Sequence, residues 1–158
     1  MNHVTTNRFV FIVSLLGICV AGYLTLLHYR IMELPCGPLQ GCDTVNSDPS
    51  ASGFGIGFLS AIPTAAFGLA MYVAMCALAF LRAATPTCEV ARRLGLVQWL
   101  MAAAGLAASA YLTYLEGAVI HAWCTYCVTS AILVVILFAI LSYERLAQKA
   151  AEKESPLP

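Results

Sequence analysis

The residues of this chain that could do chemistry are its cysteines, and four of the seven fall in two spaced pairs. Cys36 and Cys42 flank Gly37, Pro38, Leu39, Gln40 and Gly41, a turn-forming insert that can bring two sulfurs together. Cys124-Thr125-Tyr126-Cys127 is a C-x-x-C, and residues three apart on a helix share a face. A thiol at a helix N-terminus also gains from the positive end of the dipole, which favours the nucleophilic thiolate. Two vicinal dithiols suit a relay. Thiolates attack disulfides through mixed disulfides, so each pair must be reachable by its donor and its acceptor. The same residues admit inert structural disulfides in an exported loop. They also admit a zinc site of four sulfurs, although oxidising surroundings and apolar flanks disfavour it, and no metal is expected. Haem attachment would need C-x-x-C-H, and Val128 takes the last place. Cys19 and Cys76 lie among apolar neighbours and read as small buried hydrophobes. Cys88 reads as a reduced thiol in a loop.

What must position these sulfurs is a membrane protein. Of 158 residues, 61% are hydrophobic and 10% charged, with a mean hydropathy of +0.84. A soluble domain carries roughly 25% charged residues. Formal net charge is zero, and without a basic cluster there is no footprint for nucleic acid. Four stretches free of Asp, Glu, Lys and Arg, about 9–28, 62–81, 94–115 and 123–143, approach the roughly 20 residues that cross a hydrocarbon core. Backbone groups in lipid must be paired internally, so each is expected to be a helix. The first is too long for a signal-peptide core and lacks a small-residue cleavage site. The expected fold is an all-α integral membrane protein, a four-transmembrane-helix bundle forming one domain over 1–158.

Arg8, Arg82, Arg92, Arg93, Arg145, Lys149 and Lys153 share one side of these spans, and Arg30 alone falls on the other. By the bias of Lys and Arg toward the cytoplasm, both termini are cytoplasmic. The 30–61 loop and the 116–122 turn then face outward, which places both cysteine pairs on the extracytoplasmic side. Gly17 and Ala21, Ala66, Ala70 and Ala74, and Ala104, Gly105, Ala108 and Ser109 are small residues of the kind that let membrane helices approach closely. The absence of Asp, Glu, Lys and Arg from the spans argues against an ion or proton transporter.

The chain resembles the bacterial branch of the vitamin K epoxide reductase family, quinone-reducing thiol oxidoreductases of the membrane. The resemblance rests on Cys36-x5-Cys42, on Asp43-Thr44-Val45-Asn46-Ser47, and on Ile62-Pro63 with Gly68 and Tyr72. It continues through Tyr111-Leu112-Thr113-Tyr114-Leu115-Glu116 into Trp123-Cys124-Thr125-Tyr126-Cys127-Val128. The order also separates the chain from the DsbB type, whose C-x-x-C comes in the first exported loop. The resemblance implies that Cys124 and Cys127 face the quinone, with Cys127 nearest its ring and Cys124 attacked by the loop pair. Cys42 would pass electrons inward and Cys36 would receive them from a partner. Asp48 stands where a second hydroxyl is common, and Ala131 where the animal enzymes place a tyrosine.

The expected function is therefore a multi-pass enzyme of the inner or cytoplasmic membrane. It would reoxidise a DsbA-like or thioredoxin-like exported protein, separate from this chain, and pass two electrons to a ubiquinone- or menaquinone-class acceptor. A DsbA-type oxidant lies near about −120 mV, and every 30 mV of shortfall in its acceptor costs roughly 1.4 kcal/mol. A quinone meets that demand, and its ring needs an apolar slot with few polar contacts. Cys127, Trp123 and Ser47 are the expected quinone contacts, with 53–60 as a capping segment or simply an apolar lead-in to the second span. Glu116 reads as an exposed helix-end carboxylate, proton carriage to the quinol being its alternative. His121 could titrate near neutrality. The rival reading is a non-catalytic tetraspan protein stapled by structural disulfides.

Overall fold

A computed structural model describes residues 3–29, 41–48, 52, 62–85 and 88–154. Four helices among them are long and apolar enough to cross a membrane. They are α1 (His3–His28), α3 (Thr64–Ala84), α4 (Cys88–Tyr114) and α5 (Thr125–Glu154). A short α2 (Cys42–Ser47) lies between the first two, and a π-helical turn, Leu115–Ile120, continues α4. The all-α membrane fold expected from the sequence is the one formed. Much of the 30–61 loop, with Cys36 and the 53–60 segment, lies outside the described residues.

Each helix buries a seam with steps of three and four residues. On α1 the seam is Asn7, Val10, Ser14, Gly17, Ala21 and Leu24, and on α3 it is Tyr72, Met75, Ala79 and Arg82. On α5 it is Val134, Leu137, Leu141 and Glu144. A seam repeating near 3.5 residues packs helices at small crossing angles. In lipid the packing itself, rather than exclusion from water, provides the attraction. The helices form a ring in which α1 packs on α3 and α5, and α4 packs on the same two. Close approach is greatest where a side chain is missing: a Cβ on Gly17 would collide with the Tyr72 ring.

Helix α4 behaves differently along its length. Its first half is seated through Ala91, Gly95, Gln98 and Ala102. Beyond that, Ala104, Gly105, Ala108 and Ser109 line a cavity. The small residues expected to bring α4 against its neighbours instead leave room between them.

The helices also run further than the uncharged stretches and carry ionisable residues inward, contrary to expectation. Arg82 is not a loop cation. It lies in the last turn of α3, buried and paired with Glu144 of α5. Its Nη1 donates to Glu144 Oε2 at 3.0 Å and to Gln98 Oε1 of α4 at 3.3 Å. Nearby, Asn7 Nδ2 of α1 donates to the Ala79 carbonyl at 2.7 Å. One end of the bundle, the end holding both termini, is thus tied by polar groups from all four helices. Cys88 is the first residue of α4 rather than a loop residue, and its side chain is outside the described set. Cys19 and Cys76 are free thiols, the first exposed on the outer surface of the bundle and the second half-buried, rather than core residues.

Candidate redox site

Two segments some eighty residues apart in the chain meet at the other end of the bundle. The first is α2, whose opening residue is Cys42. Gly41 donates its N–H to the Trp123 carbonyl at 3.2 Å. A Cβ at Gly41 would stand 2.5 Å from that carbonyl oxygen and 2.9 Å from the Trp123 nitrogen. Only glycine lets the two backbones touch here. Cys42 and Val45 then pack with Leu24 and Cys124 in a small apolar cluster of fully or nearly fully buried side chains. The result is a Cys124 Sγ lying 3.4 Å from Cys42 Sγ. Cys42 is disulfide-bonded, while Cys124 and Cys127 are free thiols.

The second segment is the start of α5. Cys124 immediately precedes the helix and its carbonyl accepts the Val128 N–H at 3.0 Å, so it occupies the N-cap position, whose side chain can accept from the exposed first-turn N–H groups. The Cys127 thiol donates to the Cys124 sulfur, and the N–H groups of Cys127 and Tyr126 point at it as well. Led by the Cys127 hydrogen bond, these hold the Cys124 thiol below its ordinary range, against burial and the Glu116 carboxyl, which push it up. Tyr126, between the two cysteines, packs against Tyr23 of α1 with ring centroids 4.5 Å apart.

Sequence reasoning placed Glu116 at an exposed helix end, and the structure corrects this: it is 3% exposed. The reason is the π turn. Its i→i+5 bonding widens the helix after Tyr114 and shifts every later residue off the α-helical register. The turn closes at His121, whose φ of 55° and ψ of 30° are left-handed, a conformation that costs a non-glycine residue energy. Ala122 then donates to the Glu116 carbonyl at 3.1 Å. Glu116 Oε2 accepts the Cys124 N–H at 3.1 Å, and its carboxyl also interacts with the Cys127 thiol. His121 itself is exposed and acts here through its backbone.

Behind the sulfurs lies a cavity of about 350 Å³, at the small end of the range for small-molecule sites. Cys42, Cys124, Cys127 and Glu116 all line it, together with apolar residues such as Phe67, Met71, Leu112 and Val134. Near its floor the buried Tyr72 donates to the Ser130 carbonyl at 2.9 Å and lies 3.0 Å from Ser130 Oγ. Ala131 adds a methyl to the wall. Of the expected quinone contacts, Cys127 is on the cavity. Trp123 is 44% exposed and its ring backs onto Gly117, outside the lining. Ser47 ends α2, with its side chain outside the described residues, as are those of Asp43 and Asn46.

The arrangement can exchange disulfides between Cys42 and Cys124 and has an apolar chamber beside Cys127. The profile of the vitamin K epoxide reductase family matches residues 8–142. The chain belongs to that family. It is accordingly a multi-pass membrane thiol-disulfide oxidoreductase, of a family that in general uses quinones. Comparison with individually curated proteins gives no match.

Proposed function

We propose that this family member is a thiol:quinone oxidoreductase that recharges a DsbA-like or thioredoxin-like exported protein through Cys36, Cys42, Cys124 and Cys127. The observation that carries the reading is the 3.4 Å approach of Cys42 Sγ to Cys124 Sγ on the wall of a largely apolar cavity. Exchange requires that sulfurs of the two pairs come within bonding reach by a small displacement, and these two are already in contact.

The partner's thiolate attacks Cys36 of a Cys36–Cys42 disulfide and Cys42 leaves as thiolate. Cys42 attacks Cys124 of a Cys124–Cys127 disulfide, expelling Cys127. The partner's second thiolate then attacks its own sulfur in the bond to Cys36, leaving as the oxidised partner and freeing Cys36. Return of Cys36 onto Cys42 restores the loop disulfide and frees Cys124. The arrangement described above, with Cys42 oxidised and Cys124 and Cys127 free, fits the state after this transfer. A quinone held beside Cys127 supplies a two-electron, two-proton acceptor. Cys127, Phe67, Met71 and Leu112 would hold its ring, and their apolar surface suits a group of that polarity. Trp123 and Ser47 flank the site as further proposed contacts.

The cavity end is assigned to the extracytoplasmic side. Arg8, Arg92, Arg93, Arg145, Lys149 and Lys153 belong to the end that holds both termini, which the charge bias places in the cytoplasm. The test is quinone reduction by purified protein with a reduced DsbA-like donor, comparing wild type with Cys36→Ser, Cys42→Ser, Cys124→Ser and Cys127→Ser. Each single variant is expected to lose turnover by about 10³-fold or more, as for covalent nucleophiles whose bond-forming atom is removed. Equal rates across all five proteins would return the chain to a stapled, non-relaying bundle.

A further inference from the structure

Resting on the reading above, we infer that Glu116 is a catalytic residue, the proton acceptor for Cys127. The geometry points there from three sides. The carboxyl is buried and fixed by the Cys124 N–H at 3.1 Å. It interacts with the Cys127 thiol. It opens on the same cavity as both sulfurs. A π turn and a left-handed His121 bring it there, and π turns interrupting α-helices recur at functional sites.

The chemistry calls for such a group. Cys127 has one S–H and two acceptors for it, the Cys124 sulfur and the Glu116 carboxyl. While the proton stays on Cys127, that sulfur cannot act as a nucleophile. Moving it to Glu116 frees the Cys127 thiolate without drawing water into the chamber. When the reduced pair closes, the Cys124 thiolate and the Cys127 thiol become one S–S bond. Two electrons leave to the bound quinone. The Cys127 proton, held on Glu116, is the first of the two that quinol formation needs, and water at the cavity mouth supplies the second. Among the described residues, the other titratable side chains lining this cavity are His28 on α1 and Tyr72 on α3, Cys42 of α2 being disulfide-bonded.

Glu116→Gln is a close test, since an amide oxygen can still accept the Cys124 N–H but cannot take a proton at this pH. The full chain is reduced with only Cys124 and Cys127 present (Cys19→Ala, Cys36→Ser, Cys42→Ser, Cys76→Ala, Cys88→Ser) and mixed with 4,4′-dithiodipyridine. Cys124 attacks first and releases one thiopyridone. Cys127 then attacks the Cys124 mixed disulfide, closes the pair and releases the second. With Glu116→Gln, the second release is expected to slow by about 10²-fold at pH 7, the usual contribution of a positioned base. Its rate should climb about tenfold per pH unit as hydroxide takes over, whereas the Glu116 protein stays nearly flat. Glu116→Asp should recover part of the rate. The first release should stay within about threefold, which reports an intact site.

A second release as fast as wild type, or faster, overturns the inference, because a carboxylate acting only as a fixed charge would make Cys127 more acidic on its removal. Slowing of both releases alike also overturns it and marks Glu116 as structural. The same variants are then run with a soluble ubiquinone analogue. No quinone reduction by the wild type refutes the acceptor assigned above, while the thiopyridone result still decides Glu116.

Discussion

At the scale of single residues, the two sulfurs of the C-x-x-C are made unequal by where they stand on one helix. Cys124 caps α5 and collects hydrogen bonds. Cys127, one turn in, gives its own S–H away. A thiol held below its ordinary value of about 8.5 keeps a larger thiolate fraction at any given pH, so Cys124 should keep reacting with N-ethylmaleimide at pH values where a free thiol has slowed. The Cys127 hydrogen bond is the largest contribution. Cys127→Ala should therefore move the midpoint of Cys124 alkylation upward, while Cys127→Ser, with a hydroxyl donor, should move it less. Intact-protein mass after timed labelling across pH measures both. An unmoved midpoint in Cys127→Ala would assign the acidity to the helix N-terminus instead. The spacing of the cysteines was plain in the sequence, but their inequality was only half legible. The dipole argument named the helix end, and the sulfur-to-sulfur donation required the folded turn.

At the scale of elements, the site depends on α2 lying directly against the chain ahead of α5. The Gly41 contact sets that distance. Its backbone, at φ −89° and ψ 7°, is open to any residue, so alanine would be rejected on space alone. The collision is with backbone, which cannot rotate aside. A displacement of about 1 Å at a reacting centre can cost on the order of 10²-fold in rate. In a Cys36→Ser/Cys127→Ser protein, Cys42 and Cys124 should join readily on mild oxidation, and adding Gly41→Ala should slow that joining by about this factor. Peptide mapping without reduction counts the linked species. Glycine beside a reactive cysteine was a visible hint of close approach, although nothing in one dimension says that its neighbour is Trp123. The π turn left still less trace, because Tyr114 to Ile120 reads as ordinary helix end. The burial of Glu116 therefore escaped the sequence reading.

At the scale of the molecule, the bundle is closed at one end and open at the other. Arg82, Glu144 and Gln98 lock α3, α4 and α5 together, while α4 stands off over the cavity toward the sulfur end. A buried pair is costly to form but more costly to break, since removing one partner leaves a charge without compensation, about 3–5 kcal/mol. Arg82→Met should lower the thermal midpoint in detergent or nanodiscs clearly, and Arg82→Met/Glu144→Leu should recover most of the loss. Arg82 Nε has no partner among the described residues, so an apolar replacement of the pair removes that unmet donor, although Gln98 loses the Arg82 hydrogen bond to its Oε1. A double variant as unstable as the single one would mean that the charges do more than compensate each other.

The amino-acid order alone determined the number and type of the spans, because hydrocarbon tolerates only long apolar segments with their backbone groups paired internally. It also singled out four of the seven cysteines as two closely spaced sets, since that spacing is local in sequence. The fold decided the rest: that Cys42 faces Cys124, that Glu116 turns inward, and that small residues on α4 enclose space instead of filling it. Those outcomes depend on backbone contacts between segments some eighty residues apart and on a local change of helical register, and neither is encoded in the periodicity of a single segment.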